Sequence, residues 1–478
     1  MAALLQSTLA VAAACLLTTA GSVAALKQAS ANTIGAHISS TIIRDKITPN
    51  SLAMRSYTPS TPESHTSIHV RRRSSQPSAN LTNVHDIYYM IDLKVGSETI
   101  PVSVDTGSSD TWLIQEPYTC VSYFFNPGRK PDCGFGPGLK SDMSSSIVLP
   151  NTTFGRAYGD GTFVRGYFVN SPVTIGGLTI PSQRLAVVNY TYWYGDNRVS
   201  GLLGLGYPLL TSLDSEGYQT MSAYDPIFFT LWKERLVTEP VFSIALSRDE
   251  DQTTEWHNGQ GPVTVPSEGE GGKRHKSFLA LGGLPDVGVD ESTWARTPIQ
   301  SMDLLDGWDI QTSELGMYII VADAYVFGKT KLGGASGSAE QFVPVGEPTR
   351  NTTRFPVLID AGSTLSILPR ALVDQLYASF DPPAKYMPGT GLYYARCDAT
   401  VPTFGVQIGT SLFSIEPEDL LRQNVRKQDE QTGEWWCRIG VTDSYSAPYI
   451  LGVTFLSNVV AVFDVGKDEM RFATRTKY

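Results

Sequence analysis

Apolar and polar positions alternate along much of this chain, and the clearest run is Val102-Ser103-Val104-Asp105. A period of two predicts a half-buried strand that ends at Asp105, and Gly107 supplies the backbone freedom for a sharp turn. Ser108 lies across that turn, within reach of the Asp105 carboxylate, and Trp112 adds a large apolar wall. The pattern then recurs. Val357-Leu358-Ile359-Asp360-Ala361-Gly362-Ser363 matches Asp360 to Asp105, Gly362 to Gly107 and Ser363 to Ser108. Leu202-Leu203-Gly204 follows the first copy at about the same distance as Ile450-Leu451-Gly452 follows the second. Two half-chains on one plan predict a pseudo-two-fold axis, with one carboxylate from each half meeting at the interface.

Other elements follow from the same pattern. Tyr88 to Val95 alternates as a strand, and regular structure is expected to begin there. In the run Phe154 to Phe168, Gly159 and Gly161 flank Asp160, a hairpin-tip signal with Tyr158 at its base. Helices are few: Asp225-Pro226 reads as a cap before a stripe of Phe228, Leu231 and Trp232 reaching Leu236, and Pro369 to Phe380 reads as a second helix. Most other segments are short, β-branched or aromatic runs divided by Gly and Pro, so the chain is mainly β. Asp249 to Lys276 and Gly333 to Arg354 read as polar surface loops.

Composition narrows the setting. At 478 residues, 41% of them hydrophobic, the chain suits a globular protein of two or three domains. A formal net charge of −10, with no strongly basic patch on the mature chain, argues against a nucleic-acid partner. Residues 1–25 are apolar and small, ending in Ser22-Val23-Ala24-Ala25, and resemble a cleaved signal peptide. Residues 26–73 read as a prosegment closed by Arg71-Arg72-Arg73, an inviting site for a secretory-path convertase, and the polar linker composition continues to about Thr82. The mature chain then divides into an N-terminal lobe, 74–248, and a C-terminal lobe, 249–478. No later apolar run is long enough to span a bilayer, so no membrane contact is expected once the signal is removed.

Cysteine usage agrees with export. Of five cysteines, Cys15 leaves with the signal, and Cys120, Cys133, Cys397 and Cys437 remain, allowing three pairings. If each half folds as a unit, Cys120 with Cys133 and Cys397 with Cys437 is the economical choice. Without C-x-x-C spacing or neighbouring histidines, a metal site is not supported. Sequons at Asn80, Asn151, Asn189 and Asn351 are candidate glycan acceptors.

Two aspartates at a water-accessible interface repel if both ionise, so such a pair keeps one proton across a range of acidic pH. That supplies a base and an acid together. The ionised member takes a proton from a water held between them, and the protonated member hydrogen-bonds the substrate carbonyl. Water attack then gives a tetrahedral intermediate with no covalent enzyme adduct, while Ser108 and Ser363 hold the outer oxygens.

From about Tyr88 to Ala473 the chain resembles the pepsin-like aspartic proteases, peptidase family A1, and among them secreted fungal endopeptidases. The motifs D-T-G-S-S-D-T-W, Y-G-D-G, L-L-G-L-G-Y-P, D-A-G-S-T and I-L-G fall in the family's order. The resemblance implies an all-β, bilobal fold with a few short helices, a zymogen, and a cleft for an extended peptide or protein substrate. It implies no cofactor, sensitivity to pepstatin-type inhibitors, a monomer, and secretion, with an acidic vacuole as the other destination. It assigns Asp105 and Asp360 as the dyad, Tyr158 as the flap tyrosine, Trp112 as its brace, and Gly204 and Gly452 as glycines beneath each aspartate. Asp at positions 110 and 160 is shared with secreted fungal members, and the flap Asp160 implies tolerance of Lys before the scissile bond.

One departure stands out. The family has Thr or Ser after each catalytic Asp, whose hydroxyls interlock below the dyad; Thr106 fits, whereas Ala361 has no hydroxyl. The competing reading, a catalytically weakened binding or inhibitor-like protein on the same fold, has Ala361 as its one support. A glycosidase needs wider carboxylate spacing, and serine or metal hydrolysis lacks G-x-S-x-G and H-E-x-x-H.

Overall fold

The computed structural model describes residues 78–84, 88–121, 133–140, 146–211, 222–248, 252–256, 263–266, 277–305, 312–333, 341–387, 390–429 and 432–476. All of these belong to the compact unit from Arg72 to Tyr478. The expected signal peptide, the prosegment and Arg71-Arg72-Arg73 lie outside the described residues.

Strands dominate, as the alternation predicts. One 14-stranded sheet runs through the molecule. From one edge it takes Ala295–Pro298, Glu469–Thr474, Val459–Asp464, Val241–Ala245 and Ser277–Leu281, then Ser78–Val84, Tyr88–Val95 and Glu98–Asp105. Gly201–Gly204, Trp112–Cys120, Leu178–Tyr192 and Phe163–Ile175 complete the path towards the flap. Smaller sheets build the rest of the second half, among them a five-stranded one of Ile319–Val321, Pro356–Ile359, Tyr449–Leu451, Ser366–Pro369 and Val441–Ser444.

The repeated sequence motif becomes a repeated strand pattern. Glu98–Asp105 pairs in parallel with Gly201–Gly204, which pairs antiparallel with Trp112–Cys120, which pairs in parallel with Leu178–Tyr192. In the second half Pro356–Ile359 pairs in parallel with Tyr449–Leu451, that strand with Ser366–Pro369 in antiparallel, and the latter with Val441–Ser444 in parallel. The glycines are what let these strands come so close. A Cβ on Gly204 would lie 2.5 Å from the Ser109 carbonyl carbon, and one on Gly452 would lie 2.3 Å from the Ser363 oxygen. Large side chains bury the joint between the halves: Phe242 and Phe463 stack at 4.4 Å, and Tyr318 meets Phe463 edge-on at 4.7 Å. The Tyr318 hydroxyl donates to the Leu205 carbonyl at 2.6 Å, tying the second half to the loop beneath Asp105.

Several expectations are corrected. Regular structure begins before Tyr88, because Ser78–Val84 is a strand paired with both Ser277–Leu281 and Tyr88–Val95. Its polar composition reads as linker, yet the two flanking strands satisfy its backbone groups. Within 249–276, Gln252–Trp256 and Val263–Pro266 pair as antiparallel strands, and the first also runs parallel to Leu421–Gln428. Within 333–354, Gln341–Pro344 and Thr349–Asn351 are likewise strands. The first helix is shorter than expected, Ile227–Lys233, and Asp225 forms an ion pair with Lys233 at 2.5 Å in place of a cap. The second spans Arg370–Tyr377.

Each half holds one disulfide, Cys120–Cys133 in the first and Cys397–Cys437 in the second. Among the sequons, Asn151 and Asn189 are exposed, whereas Asn351 is half-buried and its Oδ1 accepts from the Thr353 amide at 2.9 Å. Asn80 lies on the strand Ser78–Val84, and its side chain is outside the described residues.

Candidate active site

Both aspartates sit where a strand stops, and both are held in the same way. Gly107 N–H donates to Asp105 Oδ1 at 2.7 Å and Ser108 Oγ to Asp105 Oδ2 at 2.5 Å. Gly362 N–H donates to Asp360 Oδ1 at 2.8 Å and Ser363 Oγ to Asp360 Oδ2 at 2.6 Å. Each carboxyl therefore has a backbone donor on one oxygen and a hydroxyl on the other. Both residues are 7% exposed, and the two carboxyls meet beside Gly362, where an added Cβ would lie 2.6 Å from Asp105 Oδ1 and 3.2 Å from Asp360 Oδ1. Burial, and next the charge of Asp360, push the Asp105 carboxyl well above the ordinary carboxylate range, against the lowering effect of Ser108 and Gly107.

The hairpin predicted at Gly159-Asp160-Gly161 forms. Phe154–Ala157 pairs with Phe163–Ile175, and the turn closes through Tyr158 N–H to the Thr162 carbonyl and Gly161 N–H to the Tyr158 carbonyl, both at 2.9 Å. Gly161 takes a φ of +85°, open to glycine at no cost, and Gly159 is exposed at the tip. Trp112 is fully buried, and its Nε1 donates to the Tyr158 hydroxyl at 2.6 Å. Burial, then the Asp105 charge, raise the Tyr158 hydroxyl pKa, so it stays protonated. Asp160 is exposed; its Oδ1 accepts from the Thr162 amide at 2.9 Å and hydroxyl at 2.7 Å.

The sequence profile of the eukaryotic aspartyl protease family matches residues 88–260 and 339–475. This chain belongs to that family. It is 31% identical over 409 residues to a probable aspartic-type endopeptidase of Aspergillus fumigatus, a match covering 83% of this chain and 81% of that protein. It is also 24% identical to penicillopepsin-1 of Talaromyces stipitatus, covering 84% of this chain and 82% of the relative. To barrierpepsin of Saccharomyces cerevisiae it is 25% identical, over 82% of this chain and 61% of the relative. The protein is accordingly an aspartic-type endopeptidase of the all-β, bilobal, pepsin-like fold, and the family's substrates are peptides.

Against that family plan, the support beneath the dyad is one-sided. Thr106 Oγ1 donates to the Ile359 carbonyl and accepts from the Ala361 amide, both at 2.9 Å. Ala361 is 1% exposed and returns no such pair from the other side. Three residues around the flap were not legible in the local pattern. Trp193 packs edge-on against both Tyr158, at 5.5 Å, and Trp112, at 5.2 Å. Arg156 reaches from the flap strand to Asp110, which is 2% exposed, and Tyr224 donates to the other Asp110 oxygen at 2.8 Å. For Arg156 a signal existed: strand alternation puts it on the side of Phe154 and Tyr158.

Proposed function

We propose that this protein is an acid endopeptidase whose Asp105 and Asp360 share one proton and activate a water for attack on a peptide bond. The meeting of the two carboxyls at the ends of matching strands, with Gly107 against Asp360 and Gly362 against Asp105, is the observation that carries this reading. Their inner oxygens hold the attacking water. The ionised carboxylate removes its proton while the protonated carboxyl polarises the carbonyl and later protonates the leaving amine. Ser108 and Ser363 keep the outer oxygens fixed, and Gly107 and Gly362 allow each loop to approach the opposite carboxyl. Tyr158, Gly159 and Asp160 close over an extended substrate, with Trp112 bracing the tyrosine through its indole N–H.

The exposed Asp160 carries a specificity reading: with Oδ1 engaged by Thr162, its other oxygen is free to meet a substrate cation, so Lys is accepted before the scissile bond. Asp160→Thr is then expected to lower cleavage after Lys selectively, and equal loss on Phe substrates would defeat the idea. We place the mature enzyme outside the cell as a glycosylated monomer, released from a 1–25 signal and a 26–73 prosegment, with lobes 74–248 and 249–478. Among the described residues no helix is long and apolar enough to cross a membrane.

The deciding experiment is hydrolysis of denatured globin by the processed chain from about pH 2.5 to about 7, with and without pepstatin, beside Asp105→Asn. Activity confined to acid and abolished by either intervention is expected. A folded, processed chain that cleaves at no pH would favour the binding-protein reading, for which the missing Ala361 hydroxyl is the structural support.

A further inference from the structure

We propose that Arg156 is a positioning residue for catalysis, whose guanidinium holds the flap in register with both halves of the dyad. The flap strand Phe154–Ala157 brings it to the inner side, next to the Phe154 ring that packs on Phe168 at 5.4 Å. There its Nη2 meets Asp110 Oδ2 and also donates to the Leu210 carbonyl at 2.8 Å. Asp110 belongs to the loop that carries Asp105, and it is held on its other oxygen by Tyr224. Leu210 ends a short helical turn, and its side chain packs with Met302, Met317, Ile319 and Leu358. Leu358 lies two residues before Asp360. One nitrogen thus ties the flap strand to the first aspartate loop and to Leu210, whose side chain packs with the strand that leads to the second aspartate.

This contact works beside the tryptophan brace and in the same register. Asp110 and Trp112 are two apart where the first aspartate loop enters the strand Trp112–Cys120, Arg156 and Tyr158 two apart on the flap, and each pair is joined across. A strand held at one point can pivot about it, whereas two ties one strand repeat apart fix its direction as well. Burial also makes the ion pair hard to dispense with on one side only, since removing either partner strands a desolvated charge. Both contacts run through Nη2, so a lysine ammonium could reproduce part of the hold.

The proposal rests on the assignment of Asp105 and Asp360 as the dyad, and its test separates the two. Arg156→Met, Arg156→Lys and the double variant Asp110→Asn with Arg156→Met are compared with wild type for kcat, KM and backbone amide exchange across 158–162, with the folded fraction fixed by circular dichroism. A roughly tenfold or larger rise in KM for folded Arg156→Met is expected, with faster flap exchange, unchanged exchange in the central sheet, and substantial recovery in Arg156→Lys. The double variant, which strands no charge, should show the same rise and covers the case where the single variant does not fold. Folded variants with KM, kcat and flap exchange within about twofold of wild type would overturn the proposal and reduce the pair to a structural contact. A wild type that cleaves nothing would instead fault the dyad assignment, and the exchange measurement would still decide the role of Arg156.

Discussion

A Cβ on Gly362 would stand 2.6 Å from Asp105 Oδ1 and 3.2 Å from Asp360 Oδ1, so any larger residue must push the carboxyls apart. Misplacing a reacting group by about 1 Å costs roughly 100-fold, and Gly362→Ala is therefore expected to lower kcat/KM by about that factor. Steady-state kinetics on a folded variant checks this; a loss of only a few-fold would mean that the pair yields without harm. Next door, Ala361→Thr should return the missing hydroxyl beneath the dyad. One added buried hydrogen bond stabilises by about 1 kcal/mol, read as a rise in Tm at acid pH, and an unchanged Tm would show the gap already compensated. At this scale the meeting of Asp105 and Asp360 was legible because their motif occurs twice with the same small residues. Arg156 was not, since its meaning depends on Asp110, 46 positions away, and an arginine in a short strand otherwise reads as a solvated one. Trp193 escaped for the same reason: its contacts with Tyr158 and Trp112 are tertiary and leave no local trace.

Elements were legible where burial imposes alternation. Tyr88–Val95 and Glu98–Asp105 each face the core on one side, and their period of two follows directly. Ser78–Val84 and Gln252–Trp256 are largely polar, and they are strands because distant partners, Ser277–Leu281 and Leu421–Gln428, supply hydrogen bonds; β propensity is decided by neighbours more than by the segment itself. Covalent closure of loops belongs to this scale too. The Cys397–Cys437 bridge closes a separation of 40 residues, against 13 for Cys120–Cys133. Chain entropy makes the longer closure the more stabilising, about 4 kcal/mol against about 3 kcal/mol. Replacing Cys397 and Cys437 together by Ala should thus lower the denaturation midpoint more than replacing Cys120 and Cys133. The reverse order in chemical unfolding would place the dominant constraint in the first half.

Across the whole molecule, the dyad links stability to pH in a definite direction. Asp105 has its carboxyl pKa raised on folding, by burial first and by Asp360 second, so the folded protein keeps a proton that the unfolded chain releases near pH 4, about the ordinary Asp value. Its contribution is present in full below that ordinary value and is lost as pH climbs through the raised one. The formal charge of −10 at pH 7 works the same way, since self-repulsion grows as the carboxylates ionise. Tm is therefore expected to be higher in the acidic range than at neutrality. Asp105→Asn carries no titrating group at that position, so its Tm should decline less steeply between about pH 4 and neutrality than that of the wild type. Parallel declines for the two proteins would assign the loss to general charge repulsion and remove Asp105 from the account of how stability depends on pH.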